Sequence, residues 1–241
     1  MILLIAAALA ATAAPAPSPT SPANAPAAAP SAGQCAAGVT PDALVCRALE
    51  ASKAGHPEVA AEAFEQAAQA TAEGDPAKSR MLAGAGNMWI AAGQPGKAAL
   101  ALDRALTGPG LEAEQRGEAL LDRARAAEAQ NDLKFARAKL NEAHATISDD
   151  PFYWYFSAAL AIRELDKTTA QAAIGKALSM APADPSILFE AGHVAHFAGN
   201  DAQARTYWNQ AAQFDPQGQV GKAARDAIAM LTVPVTHKTT P

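Results

Sequence analysis

The chain has 241 residues, enough for one or two globular domains, and half of them are hydrophobic although only 5% are aromatic. Alanine makes up the difference. It favours helices and lets them approach closely, but each buried alanine removes little apolar surface from water. The net charge of -5, with lysines and arginines scattered along the chain, argues against a nucleic-acid partner, which requires a basic surface.

Residues 1–14 have the pattern of a signal peptide. Met1 to Ile5 begin a short apolar run that ends at Ala11-Thr12-Ala13, an A-x-A-like cleavage site. No Lys or Arg precedes the run, so an alanine-rich start without a targeting role is the alternative. The run is too short to cross a hydrocarbon core of about 30 Å. We therefore expect a bacterial protein exported to the periplasm or secreted, with no stable membrane span after processing.

Residues 15–40 are mainly Pro, Ala and Ser as far as Gln34, a composition typical of a disordered, semi-rigid linker. Cys35 and Cys46 are the only cysteines. In an exported protein such a pair is a candidate disulfide, which would fasten the linker to the first helix. The alternative is two free thiols, since their spacing excludes a CxxC redox site.

From residue 41 onward, small residues recur at fixed positions in five consecutive units. Thr40-Pro41, Asp75-Pro76, Asp150-Pro151 and Asp184-Pro185 each offer a capping side chain followed by a proline suited to the first turn of a helix. Each unit has alanine at its twentieth and twenty-seventh positions, and Trp154, Trp208 and Phe64 occupy predicted core positions. The five predicted repeats are residues 41–74, 79–112, 117–150, 151–184 and 185–218.

This pattern resembles the tetratricopeptide-repeat family, in which each unit of about 34 residues is a pair of helices. The resemblance implies an all-α fold, a right-handed α-solenoid of helix-turn-helix repeats. Residues 219–231 are predicted to form a capping helix and residues 232–241 a disordered tail. The additional residues within Ala72–Lys78 and Gly108–Ala113 are expected to bulge on one edge of the array.

The resemblance also implies where a ligand binds, because the first helix of each such repeat lines a concave groove. We expect this groove to bind a protein or peptide, with an aromatic C-terminal half and a charged middle. For Phe152, Tyr155 and Phe189 the alternative is packing between repeats. The predicted groove residues are Asn87, Arg125, Glu128, Phe152, Tyr155, Arg163, Phe189, His193, His196 and Phe197.

Other chemistries find less support in the sequence. Asn87 is the single match to the Lys and Asn pattern with which some relatives hold a C-terminal carboxylate. Glu190, His193 and His196 could share a metal, but no fourth ligand or matching motif accompanies them. We therefore predict no metal, no cofactor and no enzymatic activity. The expected function is that of an envelope adaptor or scaffold for protein–protein interaction. A structural subunit of a larger complex or homo-oligomer is the second possibility, and a metal-dependent enzyme the third.

Overall fold

The computed structural model describes residues 35–231, so the predicted signal peptide, most of the predicted linker and the predicted tail lie outside it. The described chain folds into eleven α-helices, in agreement with the predicted all-α class. They are α1 (Pro41–Lys53), α2 (Pro57–Ala70), α3 (Pro76–Ala91), α4 (Pro95–Thr107), α5 (Ala113–Ala129), α6 (Leu133–Ile147), α7 (Pro151–Arg163), α8 (Lys167–Met180), α9 (Pro185–Phe197), α10 (Asp201–Phe214) and α11 (Gln219–Leu231).

The four predicted capping residues all act as caps. The side chains of Thr40, Asp75, Asp150 and Asp184 accept hydrogen bonds from backbone N–H groups in the first turns of α1, α3, α7 and α9. A proline follows each cap, at a position where its missing N–H removes no helical hydrogen bond. These signals therefore set where four of the first helices begin.

The alanines at the two repeated positions form the contact between the helices of each pair. All ten have no exposed surface, which follows from the close approach that a methyl side chain permits. Trp208 is also buried, and Trp154 and Phe64 pack against the core from partly buried positions, as predicted. The ten alanines are Ala60, Ala67, Ala98, Ala105, Ala136, Ala143, Ala170, Ala177, Ala204 and Ala211.

The additional residues between the early repeats are placed differently from the prediction. Instead of forming only a bulge, part of each segment extends the following helix at its N-terminus, so that α3 has 16 residues and α5 has 17, whereas α1, α7 and α9 have 13. Extending a helix satisfies backbone groups that a bulge would leave to solvent. The remaining connections are residues 71–75 and 108–112.

Consecutive helix pairs stack so that α3, α5, α7, α9 and α11 each contact the next in this series. The second helices of the pairs, α2, α4, α6, α8 and α10, make no comparable contacts with one another in the described chain. The first helices therefore lie on the inner, concave side of the stack. Within residues 35–231, no helix is long and apolar enough to cross a bilayer.

The segment before α1 is joined to that helix by a disulfide between Cys35 and Cys46, whose Cα atoms are 5.6 Å apart. The side chain of Arg47 donates a hydrogen bond to the carbonyl of Gly38 in the same segment. Both contacts hold the chain against the open end of the first repeat.

Candidate functional site: the concave face of the repeat array

The predicted groove residues lie on α3, α5, α7 and α9, the helices that line the concave face. Most of them are partly buried, so each ring or charged group presents one side to solvent and another to a neighbouring helix. Their contacts form a polar network centred on α5, an aromatic pair on α7, and an aromatic and imidazole cluster on α9.

Asp122 is the centre of the polar network. One of its carboxylate oxygens accepts a hydrogen bond of 2.8 Å from Asn87 of α3, and the other accepts one of 2.8 Å from Arg125. The Arg125 guanidinium also lies 5.4 Å from the centre of the Phe152 ring, within the range of a cation–π interaction. The Asp122 carboxylate thus joins two consecutive repeats directly, and it reaches a third through Arg125, which it holds beside the aromatic pair.

Phe152 and Tyr155 stack on one another, with ring centres 5.2 Å apart and an interplanar angle of 20°. Burial raises the pKa of the Tyr155 phenol, and the carboxylate of Glu190 raises it further. Tyr155 therefore stays protonated throughout the physiological range and acts as a neutral ring in this face. The pair packs on the cores of two repeats, as expected for packing between repeats, and is also partly exposed on the concave face.

The second charged pair joins α5 to the end of α7. Arg163 forms an ion pair with the carboxylate of Glu128 and donates a 2.8 Å hydrogen bond to the Glu128 backbone carbonyl. Its other terminal nitrogen donates to the side chain of Asn131 at 2.9 Å. The guanidinium fork is therefore engaged within the chain.

Phe189 and His193 form the aromatic part of the face on α9. Their rings meet edge to face with centres 4.4 Å apart, and the His193 ring also lies 5.6 Å from that of Trp208. The Nδ1 atom of His193 is 3.3 Å from the carboxylate of Glu190, a residue that is only 7% exposed. Trp208 completes the cluster by donating a 3.0 Å hydrogen bond to the backbone carbonyl of Phe189.

Phe197 is separated from this cluster, whereas the His196 ring lies 6.2 Å from that of Trp208 at its far end. His196 and Phe197 lie about two helical turns, roughly 10 Å, beyond Phe189 along α9. Nδ1 of His196 contacts the carboxylate of Asp201 at 2.6 Å, and the Phe197 ring lies 5.9 Å from the ammonium group of Lys167. Both residues therefore lie near the turns that connect the two helices of a pair. His193 contacts Glu190 and His196 contacts Asp201, so the two imidazoles do not share a carboxylate as the metal alternative would require.

Two further acidic side chains lie on this face. Glu118 of α5 is exposed, and its pKa is raised by partial burial and by the carboxylates of Glu114, Asp122 and Asp150. Asp122 is the other. Its spacing of three residues from Arg125 is a signal in the sequence for an ion pair between them. The contact of Asp122 with Asn87 has no such local signal, because it joins residues of different repeats.

Solved structures with the same architecture identify the fold. A tetratricopeptide repeat protein from Parabacteroides merdae superposes with a TM-score of 0.59 at 15% identity, covering 80% of this chain and 74% of that one. The chain has the tetratricopeptide-repeat fold. YrrB, described as a tetratricopeptide-repeat protein with an unusual peptide-binding site, gives 0.53 at 17% identity, covering 76% and 91% of the two chains. PilW, a type IV pilus biogenesis factor, gives 0.62 at 19%, covering 76% and 81%. No family model matches the sequence, and neither does any curated protein.

Proposed function

We propose that this tetratricopeptide-repeat chain is a non-catalytic adaptor of the bacterial cell envelope that binds a protein or peptide segment on its concave face. The observation that carries the proposal is the row of partly exposed rings of Phe152, Tyr155 and Phe189 on successive first helices. Aromatic rings held by their neighbours give large contact areas at a low entropic cost, as in the energetic centres of protein interfaces.

The envelope location rests on two further observations. The sequence of residues 1–14 has the pattern of a signal peptide. The disulfide between Cys35 and Cys46 is of a kind that persists in the periplasm and outside the cell but is rare in the cytosol. Among the structural neighbours, the description of PilW names an envelope process and that of YrrB a peptide-binding site, which supports the same reading by analogy.

The test compares two phenylalanines in similar settings on different faces. Phe152 lies on a first helix beside Arg125, and Phe135 lies on the second helix α6 with the Arg123 guanidinium 4.5 Å from its ring centre. Both rings are partly buried, so we expect Phe152→Ala and Phe135→Ala to lower the melting temperature by similar amounts. Only Phe152→Ala should weaken capture of envelope proteins by the immobilised full chain, by about tenfold, as measured by quantitative mass spectrometry.

Equal capture by the two variants would contradict the proposal, and a much larger fall in melting temperature for Phe152→Ala would assign its ring to the core. Light scattering on the purified chain distinguishes the adaptor from the structural-subunit alternative. The adaptor predicts a monomer, whereas a homo-oligomer that dissociates on Phe152→Ala substitution would show that a second copy occupies the face.

A further inference from the structure

The cationic side chains of the concave face at α5 and α7 are already paired within the chain. Arg125 donates to Asp122, and Arg163 donates to Glu128 and Asn131. An acidic ligand would have to break one of these pairs to find a positive partner. Because a carboxylate stripped of its partner in a partly buried site is costly, acidic segments are disfavoured on this part of the face.

Two carboxylates of the same face, those of Glu118 and Glu190, pair with no lysine or arginine in the described chain. Glu118 is exposed and makes no hydrogen bond or ion pair within residues 35–231. Glu114 and Asp122 stand one helical turn before and after it on α5, and the Asp150 carboxylate is a further like charge. The resulting negative potential lies beside the N-terminus of α7, where Phe152 begins the aromatic row.

Glu190 is the second carboxylate. Comparison with Asp122, at the same position of an earlier repeat, shows which hydrogen-bond donors Glu190 lacks. It is the sixth residue of its repeat, as Asp122 is of an earlier one. Asp122 receives donors from Arg125, three residues on, and from Asn87 at the ninth position of the preceding repeat. At the corresponding places Glu190 has His193, at 3.3 Å, and Ala159, which has no side-chain donor.

We propose that the concave face binds a protein segment carrying a lysine or arginine, whose cationic group lies against Glu118 or Glu190 while adjacent apolar side chains cover Phe152, Tyr155 and Phe189. This inference rests on the proposed function and specifies the charge of the ligand. A cation beside Glu190 would supply the donor that the preceding repeat does not provide. Residues 1–34 contain no Lys or Arg, so that segment of the chain is not the proposed occupant.

A random dodecapeptide library displayed on phage tests the proposal on the immobilised full chain. We expect the enriched peptides to contain Lys or Arg next to aliphatic or aromatic residues. The same selection on Glu118→Gln with Glu190→Gln should lose the preference for Lys and Arg. The matched control is Glu62→Gln with Glu142→Gln, which removes two exposed charges from the second helices α2 and α6 and should keep the preference.

The most enriched peptide is then labelled with fluorescein and titrated by fluorescence anisotropy, beside a version with its Lys and Arg replaced by Gln. We expect about tenfold weaker binding from the Gln peptide to the unchanged chain, and equal binding of both peptides to the Glu118→Gln/Glu190→Gln variant. Added salt should weaken binding of the unsubstituted peptide to the unchanged chain, and should not affect binding of the Gln peptide or binding to the variant.

The remaining outcomes separate the two proposals. Enrichment that depends on Phe152 and Phe189, tested with their double alanine variant, but shows no preference for basic residues would overturn the ligand charge and leave the groove in place. Enrichment of acidic peptides would do the same. If no enriched peptide depends on these two rings, the groove and the ligand charge are both wrong.

Discussion

At the scale of single residues, the concave face contains charged groups that the fold does little to stabilise. Glu118 is the clearest example, because it lies near three like charges and gains no partner from the described part of the fold. Functional sites commonly retain such residues at a cost in stability. The exposed Leu165 has a left-handed backbone with φ of 60°, at a turn position where Gly55, Gly93 and Gly199 stand in other repeats. No contact in the described chain explains that choice of residue.

The raised pKa of Glu118 gives a prediction with a definite sign. In the folded chain the pKa of Glu118 lies above the reference value of 4.5, so the carboxyl ionises less readily there than in the unfolded chain. Ionisation of Glu118 therefore opposes folding as pH rises through the folded pKa. Glu118→Gln should therefore raise the melting temperature at pH 7, by only about 1–2 °C because solvent screens the charge. At about pH 3.5, where the carboxyl is protonated in both states, the difference should vanish.

The measurement is thermal unfolding followed by circular dichroism at both pH values. Glu62→Gln is the control, since it removes the same charge from an exposed site on α2. A Glu118→Gln variant that is less stable than the unchanged chain at pH 7 would show that Glu118 has a stabilising role within the fold.

At the scale of helices, small residues decide how closely each pair packs. Gly192 of α9 shows the limit, because a Cβ atom placed there would lie 2.2 Å from Nε1 of Trp208. The Trp208 ring is 3% exposed and donates a hydrogen bond to Phe189, so it cannot move aside without losing that bond. Gly175 of α8 is also a helical glycine, but a Cβ atom added to it would meet no side chain or neighbouring helix of the described chain within 4 Å.

These two glycines form a matched pair for mutation. Gly192→Ala should lower the free energy of unfolding by about 1–3 kcal/mol through overpacking. Gly175→Ala should raise it by about 0.5–1 kcal/mol, because alanine loses less conformational entropy than glycine in a helix. Urea unfolding measures both. Equal effects of the same sign would mean that α9 and α10 do not pack as the structure places them.

At the scale of the whole molecule, the array is a series of units that contact only their neighbours. Damage at one end should therefore remain local. The disulfide that joins Cys35 to Cys46, 11 residues apart in sequence, stabilises only the first repeat directly. The C-terminal end has a different protection, since α11 covers the last pair with Ala224 buried against it.

We expect Cys35→Ser with Cys46→Ser to destabilise the first repeat by about 3 kcal/mol in the chain-entropy description. In hydrogen exchange, amides of α1 and α2 should then exchange faster, whereas those of α7 to α10 should keep their rates. Reducing the unchanged chain provides the control and should give the same pattern. A uniform rise in exchange along all helices would show that the array unfolds as one unit.

The sequence by itself determined the helical class, the four capped first helices and the buried alanines, because each depends on local backbone chemistry or on a spacing within one repeat. It also predicted a set of aromatic and charged residues on the first helices, which the structure places on α3, α5, α7 and α9. Only the tertiary structure decided which of them meet, since Asn87 and Asp122 or Arg163 and Glu128 belong to different repeats and come together through stacking. The contacts of His196 with Asp201 and of Phe197 with Lys167 also join different helices. Their neighbours belong to other helices, and no spacing along one chain segment specifies a contact between two.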